Sequence, residues 1–297
     1  MINNRKRGWN LWLAAVLWAG CFLFLTLGNT ACALQPVGTE APAPAVAERT
    51  IGVRVDSMAG VMPESAAEIQ QAAEATQRFF AEQAGLQLNN PVTVVLVPDR
   101  PAFIQEVIQR FHISELEARR VAKGVDALAG NGLIVLNVSG VPTTRQRTFL
   151  TAHELTHQYQ RLLAGNQAGQ VKWMLEGMAE AVAAQVVDRQ GYFQLQQYRD
   201  NWLNGLRSTG QRPGLEEMVL AQDWSRSLDR YGSPVTYKTA GLAVLLLQDQ
   251  QGLKKICGYF SRLGQQESPE NAFYHALGFS MADYVAEYQT KWLRPAS

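Results

Sequence analysis

Residues 147–165 read RTFLTAHELTHQYQRLLAG and hold two of the chain's four histidines, His153 and His157, one helical turn apart around Glu154. The segment is bounded as a helix. Thr143 to Gln146, TTRQ, has the form of a capping box, and Gly165 closes the apolar-periodic run. Side chains four apart on a helix leave the same face with Cβ atoms about 5–6 Å apart. A fold that places two imidazoles side by side must cover that face with another element and find a partner for four ring nitrogens. This requirement constrains the chain more than any other feature.

The remaining sequence has the means to build such a fold. Of 297 residues, 47% are hydrophobic, enough for one large domain or two modest ones. The formal charge is +1 and the sequence shows no basic run, so a nucleic-acid partner is excluded as a reading. Arg5 to Arg7 precede an uncharged run from Leu11 to Leu27, followed by the small residues Ala31 to Ala33. This is the pattern of a signal peptide over residues 1–33, cleaved after Ala33. The alternative is an uncleaved anchor attaching the chain to a membrane through residues 11–27. Either route exports the main domain to the periplasm or the exterior. Residues 34–49, rich in Pro and Ala, read as a flexible leader. Cys21 and Cys32 fall in the export segment, so Cys257 has no internal disulfide partner and reads as a small buried residue.

The mature part changes character once. Residues 50–140 alternate strand patterns, at Thr50–Asp56, Pro91–Val97 and Asn131–Val138, with helix patterns whose starts are marked by Asp99 with Pro101 and by Ser114. Residues 141–297 are helical throughout. The expected fold is therefore α+β: a small N-terminal mixed sheet with helices, then a mainly helical half, with the active site between them.

Two imidazoles at this spacing can bind one Zn²⁺ at about 2.0–2.1 Å each, and catalytic zinc takes three protein ligands and leaves a position for water. Glu154 is swung round from the pair, yet within reach of that water, as a general base requires. His112 and His275 read as ordinary surface or core residues. The better third ligand is Glu176 in KWMLEGMAEAVA, which follows His157 after eighteen residues. That gap suffices to end one helix, turn, and bring a second across it. Glu180, one turn on, is placed to accept the other N–H of His153 and fix its tautomer. Gly177 and Ala179 are small enough for close helix packing, and Trp173 and Leu175 supply apolar wall.

HELTH, eighteen residues, then EGMAE resembles the gluzincin arrangement of thermolysin-like and M1-type peptidases. KWMLEGMAEAVA is most similar to the zinc-ligand helix of peptidase MA-like proteins. Tyr237–Gly252 and Ala272–Leu293 are similar to that family's downstream helices. The resemblance implies a zincin-like helical half, with His153, His157 and Glu176 as zinc ligands, Glu154 as base, and Tyr237, or else Tyr231, steadying the oxyanion. It also implies that the strand before the zinc helix, Gly132, Leu133, Ile134, Val135 and Leu136, pairs as an edge with an extended peptide or protein substrate. No signature for holding a free substrate amine is present, so endopeptidase activity is expected over aminopeptidase. Two other readings stay open: a non-catalytic zinc- or peptide-binding module, and a hydrolase of a non-peptide amide such as cell-wall material.

Overall fold

The computed structural model describes residues 52–293. The expected signal segment, the anchor run 11–27 and most of the leader lie outside the described residues. Among the described residues, no helix is long and apolar enough to cross a membrane.

The chain opens with β1 (Val53–Ser57), α1 (Pro63–Ala84), β2 (Val92–Val97), α2 (Arg100–Phe111) and α3 (Glu115–Ala122). A hairpin of β3 (Ala127–Gly130) and β4 (Leu133–Asn137) follows. The four strands form one sheet in the order β1-β2-β4-β3, with β1, β2 and β4 parallel and β3 antiparallel to β4. Side-chain alternation serves two cores. Val94, Leu96, Ile134 and Leu136 face α1 and the helical half, while Val95, Val97 and Val135 face α2 and α3. Strands covered on both faces read as continuous apolar runs, which is why VTVVLV and LIVLN lack polar alternation.

The helical half comprises α4 (Thr144–Ala164), α5 (Lys172–Arg189), α6 (Leu195–Ser208), α7 (Ala221–Tyr231), α8 (Ser233–Gln251), α9 (Leu253–Gly264), α10 (Pro269–Leu277) and α11 (Met281–Glu287), the last running into a π-helical turn over Tyr288–Trp292. The molecule is mostly helical with a small mixed sheet at its N-terminal side, an α+β fold. The change of element type near Gly140 is not a break in packing. One core runs from Val53 of β1 through Tyr159 of α4 to Leu293.

The caps explain where the helices begin. Asp99 Oδ1 accepts from Ala102 N at 2.9 Å, Ser114 Oγ from Glu117 N at 3.3 Å, and Thr143 and Gln146 form both arms of a capping box on α4. From Thr151 to Gln160, α4 is buried on every side. It packs on α1 and β3, α5 and α9, and Tyr159 stacks on Phe80 with ring centroids 3.8 Å apart. Helix α5 is clasped between α4 and α8. A methyl on Gly177 would meet the Ala240 carbonyl oxygen at 2.4 Å, so the small residue serves the approach of α5 to α8 rather than to α4. Gly241 plays the reciprocal part: a methyl there would meet the Cβ of Glu180 at 2.8 Å.

One sequence reading needs correction here. The strand carrying Gly132 to Leu136 was expected at an edge, but β4 lies inside the sheet, hydrogen-bonded to β2 on one side and β3 on the other. Its backbone groups are therefore taken, and it cannot accept a substrate strand. The edges are β1 and β3, and the short run ALAG of β3 holds no β-branched or aromatic residue to mark it as a strand.

Candidate metal centre

Helix α4 delivers His153, Glu154 and His157, and α5 delivers Glu176 and Glu180 from the antiparallel return that the eighteen-residue gap permits. All three candidate ligands are buried, with His153, His157 and Glu176 exposed by 7%, 2% and 3%. Their donor atoms converge. His153 Nε2 and His157 Nε2 are 3.2 Å apart, and each lies 3.6 Å from Glu176 Oε2. Donors of a tetrahedral ion bound at about 2.0–2.1 Å are separated by about 3.3–3.4 Å. The three residues therefore fit a zinc ion without rearrangement, and they form the only such group of three among the described residues.

Hydrogen bonding on the far side of each ring fixes what faces inward. His153 Nδ1 donates to Glu180 Oε1 at 3.1 Å. His157 Nδ1 donates to Gln160 Oε1 at 2.7 Å, while Gln160 Nε2 donates to the Leu175 carbonyl at 2.8 Å. The Leu175 carbonyl can only accept, so Gln160 must present its oxygen to His157. Both imidazoles then carry their proton on Nδ1, and both Nε2 lone pairs point at each other and at a carboxylate oxygen. With both rings neutral, three electron-pair donors converge; in the absence of a cation, Glu176 and Glu180 instead favour a second proton on the His153 ring. Such a cluster calls for a cation.

The titration behaviour has the same cause. Burial opposes protonation of His153, but Glu176 and Glu180 at its two nitrogens outweigh it and hold the imidazole well above its usual range. Burial would raise Glu176, yet His157, His153 and the nearby Lys172 hold its carboxyl well below the usual range. Lys172 Nζ lies 3.5 Å from Glu176 Oε1, the oxygen turned away from the histidines. Glu154 differs. Burial raises its pKa, the two imidazoles only partly oppose this, and Glu176 adds to it. Its Oε2 is buried with no hydrogen-bond partner among the described residues.

The cluster forms one wall of a cleft of about 550 Å³. The loop Gly124–Ala127 leading into β3 lines one side, and residues of α4, α5, α6 and α8 line the rest. Tyr237, at the start of α8, reaches this cleft with its ring centroid 6.2 Å from His153 and its edge against Trp224 at 5.0 Å. Tyr231 does not line the cleft. Its hydroxyl donates to Glu217 Oε2 at 3.0 Å, as expected for the exposed end of α7. His112 caps α2 with a left-handed φ of 53°, and His275 pairs with Glu267 at 2.9 Å on the surface. Neither approaches the cluster's set of ligands. Cys257 is buried and its thiol is pushed up to about 12 by that burial, an inert core position.

Two contributions escaped the sequence. Gln160 orients His157 as Glu180 orients His153, and its place three residues after the histidine is the cue that could have found it. Gln158, buried on α4, accepts from Gly132 N at 3.0 Å and donates to the Gly130 carbonyl at 2.9 Å. It thereby ties the β3–β4 turn to the helix that carries the histidines.

No family model matches the chain, and no curated protein matches it. Among solved structures, it is similar to the crystal structure of an M1 zinc metallopeptidase mutant from Deinococcus radiodurans. The two are 15% identical with a TM-score of 0.48, and the match covers 82% of this chain and 49% of that one. The chain thus spans about half the length of that structure, and no residue role follows from the likeness.

Proposed function

We propose that this protein is a zinc-dependent hydrolase of peptide bonds, acting as an endopeptidase. The observation that carries the reading is a set of three convergent lone-pair donors, spaced for a tetrahedral ion, beside a buried carboxylate oxygen with no protein partner. His153, His157 and Glu176 would hold the metal, and zinc, when bound, supplies Lewis acidity toward a water and a scissile carbonyl. The chain's own groups do the rest. Glu154, whose raised pKa makes it a better base than an exposed carboxylate, takes the proton of the attacking water and returns it to the departing amine. Glu180 and Gln160 keep both imidazoles in the Nδ1–H tautomer, so each Nε2 stays available as a donor. Tyr237 presents its ring on the wall next to His153 and is the residue suited to donate to the developing oxyanion. With β4 enclosed, the free edge available to an extended peptide is that of β3, which continues from the cleft-lining loop. Arg5 to Arg7 followed by the uncharged run 11–27 support a domain outside the cytoplasm, exported or anchored.

A structural zinc site closes its fourth position and has no need of a base; the unpartnered oxygen of Glu154 argues for turnover. The test is Glu154→Gln, which keeps the side chain's shape and removes its basicity. Both proteins are expected to carry about one zinc, and only the native one to cut an unfolded protein or peptide panel. Equal hydrolysis by the zinc-loaded variant would overturn the mechanism. Zinc in both with cleavage by neither would move the function to binding or, where a peptidoglycan panel is cut instead, to a non-peptide amide.

A further inference from the structure

The walls of the cleft away from the metal cluster show two features that the hydrolytic reading does not use. The first is an aromatic recess. Phe149 of α4, Phe193 in the bend before α6, and Tyr198 and Trp202 of α6 pack in a chain, with centroid separations of 5.8 Å for Phe149 to Tyr198, 4.7 Å for Phe193 to Tyr198 and 5.7 Å for Tyr198 to Trp202. All four line the cleft, and all but Trp202 remain partly exposed there.

The second is a charge imbalance. The acidic residues lining the cleft are each neutralised from within. Asp126 is paired with Arg100, Glu180 with the His153 ring, and Glu154 and Glu176 lie against the imidazoles. The two cationic residues of the lining, Arg145 and Lys238, form no ion pair among the described residues. Arg145 lies over the face of Phe193, 4.9 Å from its centroid, at the mouth of the recess. Lys238 follows Tyr237 and is half-buried. An apolar recess bordered by unpaired cations is complementary to an apolar group carrying negative charge.

Resting on the peptide-hydrolase reading, we propose that the cleft selects acidic peptides bearing a large apolar residue. The apolar side chain lodges against Phe149, Phe193 and Tyr198, and a substrate carboxylate pairs with Arg145 and Lys238. The reach is set by the helix. Arg145 precedes His153 by eight residues, about 12 Å along α4, a distance that an extended peptide covers in about three to four residues. The carboxylate that meets Arg145 thus belongs three or four positions from the bond to be cut. It comes from an acidic side chain or from the peptide's C-terminus.

The experiment measures fluorescence anisotropy of labelled peptides on the zinc-loaded full-length Glu154→Gln protein, and cleavage of the same peptides by the native protein. The parent peptide carries Phe, Glu and a free C-terminus; its variants change Glu to Gln, amidate the C-terminus, or change Phe to Ala. Removing the carboxylate that the cations recognise is expected to weaken binding about tenfold, and the amide and Gln arms identify its source. The Phe-to-Ala change is expected to cost a similar factor. Adding Arg145→Met and Lys238→Met together should bring the acidic-to-neutral ratio toward one, while Lys254→Met, on the exposed face of α9, leaves it intact. A ratio of one on the starting protein, or one undiminished by the double change, would overturn the proposal. The preference seen in binding without cleavage by the native protein would sink the hydrolase reading and leave this one standing. Cleavage without charge preference would do the reverse, and no binding of any peptide would sink both.

Discussion

Two polar clusters border the same cleft and are built on opposite principles, one part-exposed at the end of the sheet and one buried between helices. At the end of the sheet, Arg100 donates to the carbonyls of Ala122 and Val125 and to Asp126, Asn137 Nδ2 donates to Asp126 Oδ1 at 2.9 Å, and Ser139 donates to Asn137 Oδ1 at 2.9 Å. Every acceptor there meets a donor, so the group closes on itself and holds the loop before β3 in place. Between α4 and α5, by contrast, two imidazole Nε2 atoms and a carboxylate oxygen converge with only a second proton on His153, or a cation, to join them, next to a second carboxylate oxygen with no hydrogen-bond partner among the described residues. Buried acceptors left facing one another are costly, and a fold retains them where something outside the chain completes them. Donor-acceptor balance, rather than the mere presence of charged side chains, separates a structural cluster from a candidate site.

The largest effect expected from breaking the contrast is at His157. His157→Ala removes one of three donors, and zinc affinity should fall by more than the about 100-fold that bounds changes in the surrounding shell; competition with a chromogenic chelator measures it. Next is Glu180→Ala, which leaves the donors in place but frees the His153 ring. Its zinc affinity or turnover should fall about 10–100-fold, and Gln160→Ala should act likewise through His157. The sheet cluster should respond in a different currency. Asp126→Ala leaves Arg100 only its two carbonyls and takes an acceptor from Asn137, and is expected to lower unfolding stability by about 1 kcal/mol with zinc affinity unchanged, read from urea midpoints and the same chelator titration. A loss of zinc affinity there would dissolve the distinction between the two clusters.

The smallest effect concerns the brace between α1 and α4. Burial would raise Glu68 of α1, but its bonds to Arg147, at 2.6 Å, and Thr144, both on α4, hold its carboxyl below the usual 4.5. A depressed carboxylate stabilises the fold fully above its unfolded pKa, and this contribution is lost as pH falls through the folded value. Stability should therefore decline on going from pH 7 to below about 4.5, and Glu68→Gln should lose about 1 kcal/mol at pH 7 while flattening part of that decline. A variant with the native pH profile would show that the brace contributes nothing.

Local spacing made the candidate metal centre legible. The turn that joins His153 to His157, the capping box at Thr143 and Gln146, and the return length to Glu176 are properties of neighbouring residues on helices, and each is present in the fold. What depended on tertiary placement was less visible. The interior position of β4 follows from a hairpin whose turn, Asn131–Gly132, with left-handed φ at Gly132, was the cue for an extra strand. The run LIVLN, apolar at successive positions, also spoke for a strand covered on both faces. Tyr231 and Tyr237 are six residues apart, and sequence alone could not say which faces the cleft. The break at Gly232, with φ of 81°, turns α7 away from α8 and separates them. Gln160 was passed over because an amide carries no metal chemistry itself; its role appears only once its second bond, to Leu175, is seen.

The central claim is that His153, His157 and Glu176 together hold one zinc ion. X-ray absorption at the zinc edge, on protein carrying a measured equivalent of metal, tests it most directly in native and Glu176→Ala forms. The account predicts one zinc per chain with two imidazole nitrogens and light oxygen scatterers at about 2.0–2.1 Å, and loss of an oxygen contribution or of the metal itself in the variant. Native protein that binds no stoichiometric zinc, or whose zinc shows no imidazole scattering, would contradict it.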